Sequence, residues 1–260
     1  MKNSRETWYD ASKRVAVTLV DVTDAAQALA RGHLCGPTSA HFLTEALASA
    51  ALLGGETSEP DETVILQMKC DGPLGGYNVE CTAAGTLRGY TERKVLDDFD
   101  WMGRPDPKKV VGSAQVQVTR SVPGRILSQG ISNSLDGYLA GSLQRKAAVF
   151  VAASVSDDVV IGEARGLLVE VLPESKEDLA PYLAFDVKKL AGASRTILRA
   201  LGLERAELKK TEPLAFACRC TPERAVAMLA ALSEEERASL PPTLDVTCHM
   251  CGKTFTMKTK

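Results

Sequence analysis

The spacing of apolar positions changes period several times along the chain, and each change marks an element. Residues 15–20 (VAVTLV) read as a short strand. Asp24 stands where it would cap a helix running to about Arg31, and Gly36-Pro37 then interrupts the chain. From 38 to 53, Phe42, Leu43, Ala46, Leu47, Ala50 and Leu53 recur at helical spacing, with alanine filling much of the rest. A helix apolar around most of its circumference is a buried one, and its small residues permit close packing against a sheet.

Strand signals follow. Residues 63–69 and 77–83 flank the turn DGPLGG, and 86–91 follows a glycine turn. Residues 115–120 alternate, and 124–129 can pair with them. Residues 132–145 look helical despite two glycines; 147–155 and 166–172 close the set of strands. Strands in runs, rather than in strict alternation with helices, predict an α+β fold: a mixed core of packed sheets around one buried helix.

Pro173 marks a shift in composition. Residues 174–212 are charged and helix-prone, with Leu179, Tyr182, Leu183, Leu190, Ile197, Leu198 and Leu201 as sparse apolar points and a break at Ala191-Gly192. They read as a helical linker docked on a core of residues 1–173. Residues 213–260 form a small third unit. There Thr221 precedes Pro222 at a helix start, and Ala225, Val226, Met228, Leu229 and Leu232 supply a buried side. Ser233 and Glu236 form a capping box, Pro241-Pro242 stops that helix, and 244–257 reads as strand, knuckle and strand.

Composition narrows the function classes. The 260 residues are 45% hydrophobic and 25% charged, with a net charge of -2 and a pI near 6.0. No bulk attraction to nucleic acid or an anionic membrane is expected from that balance. No apolar run reaches the roughly 18 residues that span a bilayer. The N-terminal stretch MKNSRETWYDASKR lacks an apolar signal core, so a cytoplasmic location is expected. Seven cysteines, an odd number, disfavour a fully paired disulfide framework and fit a reducing compartment. Cys35, Cys70 and Cys81 stand alone and read as small buried hydrophobes. A thiol nucleophile beside His33 or His41 is the sharper alternative for Cys35.

The remaining four cysteines carry the chemistry. Cys218-Arg219-Cys220 and Cys248-His249-Met250-Cys251 are separated by residues 221–247, 27 in all. Two close thiol pairs supply four sulfurs to one tetrahedral ion, and zinc is the natural occupant. Four protein ligands leave no open position, which argues against metal catalysis. A passive structural staple and a redox sensor both remain open on this motif alone. The unit has under 50 residues with Phe216 and Phe255 as its aromatics, and a piece that small rarely folds without a metal or disulfides. His249 reads as an exposed residue, and Gly252 as the turn that aims backbone N–H groups at the sulfurs.

These residues resemble the heat-shock protein 33 family, the 33-kDa redox-regulated chaperonins. Phe216-Ala217-Cys218-Arg219-Cys220-Thr221-Pro222-Glu223-Arg224 is similar to the family's F-x-C-x-C-[S/T]-x-E-R motif, and Cys248 to Phe255 to its closing C-x-x-C knuckle and aromatic. Asp71 to Gly75 resembles its G-D-G-P-L turn, and Gly85 to Tyr90 its G-x-x-R-G-Y strand. In all, about 230 residues are covered. Two places depart from the pattern: Ser142-Leu143-Gln144-Arg145-Lys146 replaces a Ser-Glu-Gln triplet, and Arg165-Gly166 replaces a Gly-Gly pair.

The resemblance implies a holdase without ATPase or other enzymatic activity. Its zinc ligands would be Cys218, Cys220, Cys248 and Cys251. Oxidants would convert them to the disulfides Cys218–Cys220 and Cys248–Cys251. Zinc would leave, the linker would unfold, and Leu179, Tyr182, Leu183, Leu190, Ile197 and Leu201 would be exposed to unfolded client proteins. The active form would be a homodimer. Two rival readings are a zinc ribbon that binds nucleic acid through Lys253, Lys258 and Lys260, beside the acidic Glu234-Glu235-Glu236, and a divergent relative with an altered role. DGPLGG lacks the G-K-[ST] ending of a phosphate loop and leads into a strand.

Overall fold

A computed structural model describes residues 2–100 and 106–259. The chain forms β1 (Ser4–Asp10), β2 (Val15–Asp21), α1 (Thr23–Gly32), α2 (Pro37–Leu53), β3 (Thr63–Cys70), β4 (Gly76–Thr82), β5 (Thr86–Thr91) and α3 (Pro107–Val110). Next come β6 (Ala114–Val122), β7 (Arg125–Ser132), α4 (Leu135–Gly137), β8 (Lys146–Val155) and β9 (Ile161–Val171). After them lie α5 (Ala180–Leu183), α6 (Ser194–Ala200), β10 (Glu207–Pro213) and β11 (Ala215–Phe216). The C-terminal unit is α7 (Pro222–Ala230), α8 (Glu234–Ala238), β12 (Thr243–Thr247) and β13 (Thr254–Lys258).

The strands assemble into sheets of order β10-β1-β2-β9-β8 and β11-β5-β4-β3-β6-β7, plus the hairpin β12-β13. This is the α+β architecture expected from the runs of strands. Helix α2 lies between the two large sheets, and 15 of its 17 residues are buried. Two of its hydroxyls are satisfied within the helix, Thr44 donating to the Ala40 carbonyl and Ser49 to that of Glu45, while Ser39 donates outside it to the Arg93 carbonyl. Most polar side chains buried in such a core have a hydrogen-bond partner within the protein.

A second apolar cluster lies on the outer face of the five-stranded sheet. Trp8, Val15, Val17, Leu19, Leu167, Val169 and Val171 pack there under Tyr182, Leu190, Ile197, Leu198, Leu201 and Leu203. The cover is short pieces: α5, a tight turn over Val187–Ala191, and α6.

Several elements differ from the sequence reading. Strand β1 was not expected. β10 occupies the end of a segment expected to be helical and pairs antiparallel with β1 at the sheet edge. Asp24 does not cap α1; the helix starts from Val22 with no side-chain cap, and Asp24 accepts from the Asn3 side chain instead. The helix expected over 132–145 is one turn at α4 and a wider-wound turn over Tyr138–Ser142. In α7 only Ala225 is buried, whereas Val226 is 55% and Met228 69% exposed. The hairpin behind α7 is too small to cover a whole helix face.

Candidate metal centre

The four cysteines come from two connections. Cys218 and Cys220 lie between β11 and α7, where the Thr221 hydroxyl accepts from the Arg224 amide and caps the helix that begins at Pro222. Cys248 and Cys251 lie in the turn between β12 and β13. That turn closes through Cys248 N–H to the Lys253 carbonyl at 2.8 Å and Gly252 N–H to the Cys248 carbonyl at 2.8 Å. Gly252 has φ of +74°, which a residue with a Cβ rarely adopts.

The sulfurs of Cys218 and Cys248 are 3.8 Å apart, those of Cys220 and Cys251 3.5 Å, and all four lie within 4.8 Å of one another. Four sulfurs at about 2.3 Å from one tetrahedral ion must stand about 3.8 Å apart, so the donor set fits a closed metal site. Both of these short contacts run between the two motifs rather than within one. Burial pushes the Cys218 thiol up, but the Cys220 amide, the neighbouring thiol and the Arg88 guanidinium outweigh it and bring Cys218 down to about 7. Cys220 and Cys251 are pushed up, by burial first and then by the sulfurs around them.

The cluster is seated on the core. A Cβ on Gly32, at the end of α1, would come within 2.5 Å of the Cys251 carbonyl, and one on Gly252 within 1.9 Å of the Gly32 carbonyl. Only two glycines permit this approach. Strand β5 supplies the rest. Arg88 Nη1 lies 3.9 Å from the Cys218 sulfur and pairs with Glu80 at 2.6 Å. Gly89 donates its N–H to the Met250 carbonyl at 3.1 Å, and its own carbonyl accepts from His33 Nε2 at 2.9 Å. Tyr90 meets His249 edge-on, ring centres 3.9 Å apart. Burial, with Lys94 next, lowers the pKa of His33, so it docks as a neutral ring.

Sequence reasoning thus found the four sulfurs and missed their seat. The R-G-Y triplet was visible as a motif, but nothing local assigns its three residues to Cys218, Met250 and His249. His249 is exposed and outside the sulfur cluster. Cys35 and Cys81 are buried and pushed up to about 11 by that burial, and Cys70 is pushed up as well. None of the three is a thiolate nucleophile near neutral pH. His41 pairs with Glu45 rather than with Cys35.

Of the linker residues, Tyr182, Leu190, Ile197 and Leu201 are buried in the second cluster, Leu179 packs against it, and Leu183 points outward at 57% exposure. The two departures in the core have structural partners. Arg145 pairs with Glu56 and Glu170. Arg165 donates from β9 to the carbonyls of Leu190 at 2.7 Å and Gly192 at 3.0 Å while pairing with Asp21 at 3.2 Å. It clasps the covering segment to the sheet. No helix among the described residues is long and apolar enough to cross a membrane.

A family model described as Hsp33 protein matches residues 7–258. A 33 kDa chaperonin of Thermus thermophilus is 29% identical over 270 residues, covering 92% of this chain and 79% of that protein. One from Symbiobacterium thermophilum is 27% identical over 247 residues, covering 86% and 84%. The crystal structure of the Thermotoga maritima 33 kDa chaperonin superposes with a TM-score of 0.88 at 18% identity, covering 100% of this chain and 96% of that one.

Proposed function

The chain belongs to the Hsp33 family, and from that premise we propose that it is a redox-regulated, ATP-independent holdase rather than an enzyme. The observation that carries the reading is a four-sulfur cluster seated on the core while the neighbouring segment covers an apolar sheet face. We assign residues 1–173 as the chaperone core, 174–212 as the cover and 213–260 as the switch.

Zinc is the occupant that suits four thiolates, and when bound it supplies the folding energy that the switch lacks. Oxidation of the four thiolates to Cys218–Cys220 and Cys248–Cys251 passes four electrons to two equivalents of a peroxide or hypochlorous acid and removes the ligand set. The switch then has no core of its own: Leu214, Ala225, Cys251 and Met257 are its buried apolar residues among those described, and Leu214 packs into the main core. Its seat on Gly32 and β5 is lost, and the cover over Trp8, Val17, Leu19, Leu167 and Val169 loses its anchor. The uncovered face, with Leu179, Tyr182, Leu183, Leu190, Ile197 and Leu201, binds unfolding polypeptides in the cytoplasm as a homodimer. An exposed apolar area of that kind is larger than soluble monomers tolerate. Neither nucleic acid nor a membrane is required.

The test is aggregation of a heat-unfolded client without ATP, with metal content and disulfides followed in the same samples. One equivalent of zinc in the reduced form and protection confined to the oxidised form are expected. Equal protection in both forms ends the redox reading. Cross-linked Cys218–Cys248 and Cys220–Cys251 pairs would overturn the disulfide assignment alone.

A further inference from the structure

We propose that the outer edge of β1, freed when β10 departs, is a backbone docking site. It takes an extended segment of an unfolding polypeptide with apolar side chains at alternate positions. The inference rests on the redox opening described above and names where one part of the client sits.

β10 is the edge strand of its sheet and pairs with β1 alone, from Ser4 opposite Pro213 to Tyr9 opposite Glu207. Six of its seven residues (ELKKTEP) are exposed. Main-chain hydrogen bonds therefore hold it, together with Glu212 against the guanidinium of Arg5 at 3.3 Å, rather than burial of its side chains. Charged, poorly buried strands of this kind shield a sheet edge. β10 also follows the covering helices directly and ends five residues before Cys218 (213 to 218). Loss of the cover frees its N-terminal end, and loss of the switch removes the Cys218 anchor beyond its C-terminal end, where buried Leu214 and the two-residue β11 on β5 remain.

β1 stays behind. It is paired over its whole length with β2, from Ser4 opposite Asp21 to Asp10 opposite Val15, and Arg5, 1% exposed, ties it to the Ala51 carbonyl of α2. An ordered strand with one open row of N–H and C=O groups takes an added strand through its backbone. Such pairing is indifferent to sequence, which suits a protein that must hold many clients. The face beside the edge sets the one preference. Directly opposed residues share a face, and Leu208 of β10 lies opposite Trp8, which belongs to the outer apolar cluster. An occupant with apolar residues at alternate positions would continue that face, where β10 offers only Leu208.

The experiment uses full-length protein, reduced with zinc and oxidised, and a Lys-flanked peptide alternating valine with threonine. Hydrogen exchange is read over residues 4–10, and binding by fluorescence anisotropy. In the oxidised form the alternate amides that face β10 should exchange at least tenfold faster and slow again with the peptide, while those bonded to β2 stay protected. N-methylation of one alternate set of peptide amides should weaken binding more than tenfold, and of the other set hardly at all. Oxidised protein that holds a heat-unfolded client while β1 stays unprotected, or binds both methylated peptides equally, overturns this inference and leaves the holdase reading intact. Protection of β1 that grows with protein concentration in the absence of peptide assigns the edge to a second copy and also overturns it. Failure of the oxidised protein to hold any client removes the holdase reading and this inference together.

Discussion

Helix α2 and the C-terminal unit solve the same problem in opposite ways. α2 is held by apolar contact with strands of two sheets, β2 to β5 with β8 and β9, drawn from across residues 15–171, and nearly every side chain it has is buried. The C-terminal unit buries Leu214, Ala225, Cys251 and Met257, with Val226 and Met228 left in solvent. Dispersed hydrophobic burial cannot be switched off by one chemical event. On the proposed reading four sulfurs around one ion can, and the seat on β5 and α1 would carry that event to the core. The covering segment lies between these extremes, apolar underneath yet clasped by Arg165.

Metal removal should separate the two regions most sharply. Structural zinc contributes about 10–16 kcal/mol in small domains. Chelation under reducing conditions should abolish amide protection over 218–258 and leave α2 protected; persistent protection in the C-terminal unit would erase the contrast. Next comes Leu47→Ala in α2, which should cost roughly 2–5 kcal/mol by urea denaturation through the cavity it leaves. Its zinc stoichiometry should not change, and a change would mean that the two regions fold as one.

Gly252→Ala tests the seat itself. The added Cβ meets backbone at 1.9 Å at a φ of +74°, a strain of about 1–3 kcal/mol before the clash is counted. A variant that keeps one zinc but protects a client when reduced would make seating the inhibitory contact. Zinc retained with no rise in activity would place inhibition in the cover alone. Arg165→Gln should act more weakly. Hydrogen bonds to charged groups contribute about 1.5–3 kcal/mol, less here because Arg165 is 20% exposed. It should lower the oxidant dose at which an apolar dye binds, and an unmoved dose would reduce the clasp to a surface detail.

The smallest effect is that of pH. His33 has its pKa lowered while seated and regains its ordinary 6.5 when released, so the released state takes up the proton. Seating is therefore complete above about pH 6.5 and weakens as pH falls below it, by at most about 1.4 kcal/mol per unit. Oxidant titrations at pH 5.5 and 7.5 should differ accordingly, and His33→Gln should remove that part of the difference.

The sequence showed α2, the central strands and the four cysteines because each has a local signature: an apolar helical repeat, alternation, or thiol spacing. It did not show β1 or β10. SRETWYD and ELKKTEP are polar edge segments, and their pairing is supplied by neighbours in the sheet rather than by a period of their own. The capping box at Ser233 and Glu236 was legible because its partners are three residues apart. The partners of Arg88, Gly89 and Arg165 were not, because Cys218, Met250, Leu190 and Gly192 lie far along the chain.

The sequence alone thus determined which side chains can bind a metal and which helix must be buried, since local spacing and hydrophobicity encode these directly. Only the tertiary structure decided that Gly32 and Gly252 let two backbones touch, that the R-G-Y triplet is the seat of the sulfur cluster, and that β10 shields the edge of β1. Those contacts join residues 130 to 220 positions apart, and chain connectivity imposes no pattern on such pairs until packing brings them together.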